Sequence, residues 1–535
     1  MAASLPPWDL RFLAWVALVP WLSAVANARS SAKAVLFGFL LSLSVGLLAA
    51  PWVATAAHAF LQISWPLSLG VLLVFAATCA QPHLLLMAPL VRWTRLRIPE
   101  KPGAKDSMLF AACVAFLYAG LGATVPRLFD AGLGYALHGA TVLRQAADVG
   151  GVPLLTFLVV FVNVLVWTMW TVRKDRDKRV PALWSRAAIL VVVIGGAYLY
   201  GTIRLRAVRN AVADADDSTL RVAVAQGNVA NETRLGWARG DERAAEQQLS
   251  AYMLLTEALI GETLLPDLVV WPEATFPGVF LQPMSTLQRG RANKFDRQVM
   301  RLARPIIFGA YDMRGKDDDR TLYNALFAII PRYDQPGSKG TVQRYHKHRL
   351  LPFAENIPGL SQTAWFKAHL PSVGFFGQGT GAGFFEVATS DGRAVRLTPF
   401  ICSESLSSSY VAEGVRRGGE ILLNVGSDGW FGGWGEPQFH LAVSRLRSVE
   451  TRRAQVRAAN TGISALILPD GEIAARTDFG EKTLLEFDAP VVSTLDSLIV
   501  RWGSWFDWTA LWLGAALFVL IQLRSTRRGK DPEAG

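Results

Sequence analysis

Only three cysteines occur in 535 residues, at positions 79, 113 and 402, and that scarcity excludes a disulfide framework as the source of stability. Histidine is nearly as sparse, with seven. Neither His346-Lys347-His348 nor any other histidine spacing makes a closed metal set, and no papain-like His-Cys-Asn pattern is evident. Zinc hydrolysis is therefore not expected, and no metal or other cofactor is required. Charged residues make up just 18% of the chain, with no internal repeat and no long low-complexity segment. What fills the chain instead is apolar. With 51% hydrophobic residues, 18 Trp and 28 Phe, the composition points first to a membrane component. The formal charge of +11 could suggest nucleic acid, but Arg and Lys gather beside apolar segments rather than on one amphipathic face. That distribution reads as membrane topology, and no nucleic-acid partner is expected.

Apolar runs near 10–28, 34–56, 67–91, 108–124, 152–172, 187–203 and 505–523 each approach the length that crosses a bilayer, giving about seven spans. The organisation this predicts is an N-terminal membrane bundle over 1–204 with about six spans, a folded domain over 219–490, a C-terminal membrane helix over 505–523 and a basic tail over 524–535. The polar stretch between the last two spans is far too long to be a loop. Gln81-Pro82-His83 inside the third run reads either as a functional polar site or as a proline kink with partners in the bundle.

Loop charge alternates. Arg29 and Lys33 follow the first run; Arg92, Arg95, Arg97, Lys101 and Lys105 follow the third; Arg173, Lys174, Arg176, Lys178, Arg179 and Arg186 follow the fifth; Arg524, Arg527, Arg528 and Lys530 follow the last. No Lys or Arg lies between 51 and 65, and only Arg127 and Arg144 lie between 125 and 150. By the positive-inside rule the basic loops are cytoplasmic, which places 204–504 on the opposite side. Ala24-Val25-Ala26-Asn27-Ala28 resembles a signal-peptide cleavage site, but cleavage would invert every later loop, so an uncleaved anchor is expected.

Cys79 and Cys113 fall in apolar runs, so Cys402, in "PFICSES", is the lone cysteine outside them. It reads either as a small buried hydrophobe or as a reactive thiol. Its surroundings bear on the choice. Strands are predicted at Leu220–Gln226, Asp267–Trp271, Pro305–Gly309, Leu322–Ile330, Thr341–Leu351 and Ile421–Gly426, with hairpins turning at 390–393 and 469–471. Helices are predicted at Glu242–Ile260, Leu287–Leu302, Val411–Arg417 and His440–Ala454. This is an α/β pattern, in which chemistry gathers at strand ends. Glu273 follows "LVVWPE", Lys347 lies in "QRYHKHRLLPFAEN" and Cys402 ends "LTPFIC". Each alone is weak, but together they supply a base, a cation and a nucleophile. A thiol is only a few per cent ionised at neutral pH, so a carboxylate in reach can take its proton as attack begins. A nearby ammonium favours the thiolate and offsets the oxyanion formed when sulfur adds to a carbonyl.

"VVWPEATFP", "YHKHRLLPFAENIP", "FICSES", "NVGSDGWFGGWGEPQFH" and "RAANTGISALILPDGEI", in that order, resemble the nitrilase, or carbon-nitrogen hydrolase, superfamily with its Glu-Lys-Cys triad. With membrane spans on both sides the resemblance narrows to the membrane-anchored apolipoprotein N-acyltransferase family. It implies a multi-pass α-helical membrane bundle plus an α/β nitrilase-like domain, an αββα four-layer sandwich, in the bacterial inner membrane with the domain on the periplasmic side. It implies ping-pong transfer of an acyl chain from a phospholipid donor to the amine of a diacylated apolipoprotein acceptor, by a monomer. Glu273 then corresponds to the general base, Lys347 to the oxyanion-stabilising lysine and Cys402 to the nucleophile. Glu355 corresponds to an additional glutamate that holds Lys347 or assists proton transfer. Glu404 falls on a supporting position, and Trp237 and Trp430 are expected to be substrate-binding. Ser403 departs from the family's Cys-Tyr-Glu pattern, and the chain is expected to begin at what resembles the second of the family's eight spans.

Two alternatives remain at this stage: a membrane-anchored amidase that uses the same triad with water as acceptor, and a noncatalytic membrane scaffold. The apolar stretches Phe276–Met284, Trp365–Phe376 and Trp430–Trp434 likewise read either as packed loop cores or as mobile lids that dip into the bilayer, hinged at glycines such as Gly426 and Gly432.

Overall fold

The computed structural model describes residues 1–99, 102–129, 131–172, 179–215, 218–282, 285–315, 320–331, 340–357, 365 and 375–528. By packing, the chain divides into one unit of residues 1–54, 64–207 and 502–535 and a second of residues 55–63 and 208–501.

In the first unit, and among the described residues, six helical segments are long and apolar enough to cross a membrane. They are Ser31–Ala49, Trp65–Leu96, Ala104–Thr124, Leu143–Thr171, Leu183–Ala213 and Trp505–Arg524, the fifth running on into the second unit. The segment 10–28, expected to be a span, is not one of them. It breaks into a 3₁₀ turn, Arg11–Trp15, and a short helix, Val19–Ala26. The buried Asn163 stabilises that break: its Oδ1 accepts from the Leu18 amide at 2.8 Å and its Nδ2 donates to the Ala14 carbonyl at 2.8 Å. Backbone groups freed from a helix need such partners wherever water is scarce. The run at 67–91 is likewise interrupted, into helices Trp65–Thr78 and His83–Leu96. Gln81 occupies the break, taking Ser42 Oγ with its amide N–H at 3.1 Å and donating to the Ala131 carbonyl at 3.2 Å. Gln81 thus has the bundle partners of a kink, whereas His83 beside it is buried with neither ring nitrogen hydrogen-bonded among the described residues.

The second unit is built on two six-stranded sheets. The first has the order β12-β1-β2-β3-β4-β5, from β1 (Thr219–Gln226), β2 (Leu268–Val270), β3 (Ile306–Arg314), β4 (Thr321–Ile330), β5 (Thr341–His346) and β12 (Thr483–Pro490). The second has the order β11-β10-β9-β8-β7-β6, from β6 (Phe385–Ala388), β7 (Ala394–Ile401), β8 (Ile421–Gly426), β9 (Gln455–Ala459), β10 (Ala465–Ile467) and β11 (Ile473–Arg476). Strand alternation sorts the side chains between layers. Leu220, Val222 and Val224 of β1 face a core shared with Leu397, Ile421, Leu423 and Val425 of the other sheet. Ala223 and Ala225 point the opposite way, onto a layer containing Leu249, Tyr252, Phe295 and Val299 from helices Glu242–Glu257 and Thr286–Leu302. Phe400 and Leu422 meet Val411 and Val415 of helix Ser408–Arg416, while Ala465 and Ile467 meet Leu441 of helix Glu436–Thr451. The result is the expected four-layer αββα sandwich.

Phe276 and Phe280, on one of the three apolar stretches, are 1% and 6% exposed and pack edge to face at 5.2 Å in this core. Phe276–Phe280 is therefore loop core, while Leu281 at its end is 40% exposed. Most of Trp365–Phe376 lies outside the described residues.

One glycine is dictated by the sandwich. A Cβ on Gly309 of β3 would lie 2.3 Å from the Ala274 amide nitrogen and 2.7 Å from Glu273 Cα, closer than atoms can approach. Gly290, on helix Thr286–Leu302, meets nothing within 4 Å. Gly309→Ala is expected to destabilise the domain by about 1–3 kcal/mol. Gly290→Ala should be neutral or stabilising by up to about 1 kcal/mol. Thermal unfolding of the purified protein in detergent measures both, and equal effects would contradict this packing.

Candidate active site

Three strand ends place the chemistry. Glu273 lies three residues beyond β2, Lys347 directly follows β5, and Cys402 directly follows β7. Lys347 is 2% exposed and its Nζ donates to both oxygens of Glu355, at 2.9 and 2.8 Å, with Glu273 Oε1 at 3.9 Å. Burial opposes the ammonium, but the two carboxylates and the Cys402 sulfur outweigh it and hold the lysine above its ordinary range. Asn324 of β4 locks the carboxylates: its Nδ2 donates to Glu273 Oε1 at 2.7 Å and to Glu355 Oε1 at 2.9 Å. Its own carbonyl also accepts the Lys347 amide at 2.9 Å. No motif in the sequence marked Asn324. Its signal was its place opposite Tyr311 in the β3–β4 register, visible only once strands are paired.

Cys402 adopts φ of +51°, a left-handed conformation that non-glycine residues rarely take. Such strain persists only where neighbours over-determine the backbone. Glu404 supplies that constraint. It is wholly buried, and its carboxylate accepts from the Ile401 amide at 2.7 Å, the His348 and Arg349 amides at 2.8 and 2.9 Å, and the Tyr345 hydroxyl at 2.6 Å. Burial raises its affinity for the proton and the four donors oppose this, and the carboxyl pins the residue before the thiol to the turn after the lysine. Burial pushes the Cys402 thiol well above its usual range and Glu273 adds to this, with Lys347 opposing. The sulfur thus rests as a thiol, and a base must remove its proton when it reacts.

The remaining expected residues lie around this centre. Trp237 donates from its indole to Gln248 Oε1 at 2.9 Å, and Gln248 Nε2 donates to the Ala274 and Thr275 carbonyls at 2.8 and 3.0 Å. Trp237 therefore braces the turn carrying Glu273. Its ring also meets Tyr311 at 5.6 Å, and Tyr311 meets Phe376 at 5.3 Å, forming an aromatic row. Trp430 packs edge to face on Phe60 at 5.7 Å.

A second buried cluster went unseen in sequence. His440 Nδ1 faces Asp428 Oδ1 at 3.1 Å and Glu436 Oε1 at 3.4 Å, its Nε2 faces Ser405 Oγ at 2.9 Å, and Arg457 donates to Asp428 Oδ2 at 2.7 Å. Asp428, Glu436 and His440 are spaced closely enough to hold a metal ion. Arg457 argues otherwise: its guanidinium already pairs with Asp428, and a divalent ion added beside it would bury excess positive charge. Burial and Arg457 disfavour the imidazolium, yet Asp428 and Glu436 outweigh them and its affinity for the proton is raised.

Against known proteins, residues 1–165 match the apolipoprotein N-acyltransferase N-terminal domain, and residues 221–494 match the carbon-nitrogen hydrolase model. The chain belongs to the carbon-nitrogen hydrolase family. A relative named apolipoprotein N-acyltransferase from Bdellovibrio bacteriovorus is 29% identical, over 95% of this chain and 89% of its own. One of the same name from Chlorobaculum tepidum is 27% identical, over 92% and 90%. Among solved structures, Nit3 of Saccharomyces cerevisiae, from branch 10 of the nitrilase superfamily, is 15% identical, covering 51% of this chain and 92% of its own with a TM-score of 0.33.

The Glu436 carboxyl of this carbon-nitrogen hydrolase domain is raised to about 7, chiefly by burial and then by Asp428. A carboxyl raised on folding contributes stability that is full below its unfolded value of 4.5 and is lost as pH climbs to about 7. Glu436→Gln removes that loss. The variant's stability relative to the parent is therefore expected to increase between about pH 5 and pH 8, by on the order of 1 kcal/mol. Thermal midpoints across that range test it, and a pH-independent difference would contradict the assignment.

Proposed function

We propose that this chain is a bacterial inner-membrane N-acyltransferase that moves an acyl chain from a phospholipid, through a Cys402 thioester, to the N-terminal amine of diacylated apolipoproteins. The observation that carries the reading is the buried Lys347 ammonium held between Glu355 and Glu273, electrostatically coupled to a strained, half-buried thiol. The relatives' name supports the same activity. No cofactor enters the reaction.

In the first half-reaction Glu273 takes the thiol proton as sulfur adds to the sn-1 ester carbonyl. Lys347 faces the oxyanion of the tetrahedral adduct. Collapse breaks the carbon–oxygen bond, and the leaving alkoxide of the lysophospholipid takes the proton from Glu273. In the second, the acceptor amine adds to the thioester and gives its proton to Glu273. Collapse breaks the carbon–sulfur bond, and Glu273 returns the proton to sulfur. Glu355 and Asn324 act by holding Lys347 and Glu273. Trp237 and Trp430 line the approach for the acyl donor or acceptor.

Protein incubated with phospholipid should gain one acyl mass on Cys402, removable by neutral hydroxylamine. Cys402→Ala, Glu273→Gln and Lys347→Met should each lower turnover by about a thousandfold or more, since residues acting as a unit fail together. Intact-mass measurement decides the matter: a Cys402→Ala protein that still acquires the label would sink the assignment, and an acyl-enzyme that passes its chain to water but never to a diacylated lipopeptide would favour the amidase.

We infer from the basic loops that the catalytic domain faces the periplasm. A reporter fused near Arg320 should therefore be active only as a periplasmic fusion, and a cytoplasmic signal would remove apolipoproteins as substrates.

A further inference from the structure

Arg234 is a cation that this mechanism leaves unused. It lies on helix Asn231–Ala238 with its guanidinium carbon 5.4 Å from the centre of the Trp430 ring, and its Nη1 donates to Ser427 Oγ. Among the described residues no carboxylate pairs with it. Two buried arginines of the domain are committed by contrast, Arg457 to Asp428 at 2.7 Å and Arg291 to Glu242, while Arg239 at the end of the same helix donates to the Gln62 side chain. The Lys347 ammonium is likewise taken up by Glu355 and Glu273.

Arg234 also lies beside the reacting groups. Ser427 follows the last residue of β8, and Val425 of that strand pairs with Ile401, the residue before Cys402. On the other side, the Tyr311 phenol, held above its usual range first by burial, is opposed by Arg234 and reinforced by Glu273 and Glu355. One tyrosine thus feels both the free cation and the two catalytic-site carboxylates.

We propose that Arg234 binds the phosphodiester of the acyl donor, seating the phospholipid so that its sn-1 ester meets Cys402. The inference rests on the acyl-donor reading above. A planar guanidinium matches two phosphate oxygens at once. Stacking on Trp430 turns it without neutralising it. In a glycerophospholipid the phosphate and the sn-1 ester share one glycerol, so a cation a loop away from the thiol is suitably placed to hold one while the other reacts. The acceptor amine must arrive uncharged and gains nothing from a guanidinium. The competing role for Arg234 is mechanical, bracing the turn of Trp430 through Ser427, and it makes no distinction between donors.

The test compares acyl-enzyme formation, read by intact mass on the full-length protein in detergent, from dioleoyl phosphatidylglycerol and from uncharged p-nitrophenyl octanoate. Both donors use the same thiol, base and lysine, so damage to the site cancels in the ratio of their rates. Arg234→Gln is expected to lower the phospholipid-to-uncharged ratio by about tenfold or more, the size of a lost charge-assisted contact. Arg234→Lys should recover part of it. A ratio unchanged in both variants overturns the proposal and leaves the mechanical role. Failure of the parent protein itself to take an acyl group from phosphatidylglycerol overturns the acyl-donor reading, and the two failures are thereby told apart.

Discussion

An ammonium removed from water costs several kcal/mol unless it is matched, and Lys347 is buried. The rest of the site follows from that constraint. Glu355 reaches it with both oxygens, Glu273 stands slightly farther off, and the two carboxylates must be kept from repelling each other. Asn324 does so by donating to both with one amide nitrogen. The outcome is a fixed row of charges in which Glu355 is the closer partner. In the proposed mechanism this leaves Glu273 available for proton transfer and Lys347 charged to meet an oxyanion.

The thiol is held by a different device. The left-handed turn at Cys402 is unfavourable by itself, and a single buried carboxylate, Glu404, ties it to the turn after Lys347 through three backbone amides and a tyrosine. Nucleophile and cation come from different sheets, so a bond between their flanking residues sets their separation more directly than either sheet could. The supporting role expected for Glu404 thus takes a definite form: it positions the elbow without facing the reacting atoms. Beneath the same turn, Ser405 contacts His440, whose charge depends on Asp428 and Glu436. The turn after Cys402 therefore rests on two buried polar supports, the second a charge-balanced cluster that includes Arg457.

The membrane unit shows the same economy with backbone groups. Where the segments at 10–28 and 67–91 depart from continuous helix, Asn163 and Gln81 complete the hydrogen bonding that the helix gives up. Hydropathy alone cannot distinguish a broken apolar segment from an unbroken one, because both present the same side chains to lipid.

From sequence alone, apolar strand patterns located β1, β4 and β8 within a residue or two of their ends, Thr341–Leu351 ran five residues past the end of β5, and motif order picked out Glu273, Lys347 and Cys402 as a set. These are local properties, carried by neighbouring residues and by side chains that the chemistry requires. Strands β9 and β12 were not anticipated, because β9 (Gln455–Ala459) contains arginine where an alternating strand would be apolar, and β12 becomes a strand by pairing with β1 from the far end of the domain. Only the tertiary structure decided that Glu355 rather than Glu273 is the nearer partner of Lys347, that Asn324 bridges them, that Glu404 clamps two turns, and that Arg457 has a carboxylate where Arg234, among the described residues, has none. Each of these depends on distances of a few ångströms between residues from eight to more than fifty positions apart. Electrostatic and hydrogen-bond energies fall steeply over such distances, so no reading of neighbours along the chain could have supplied them.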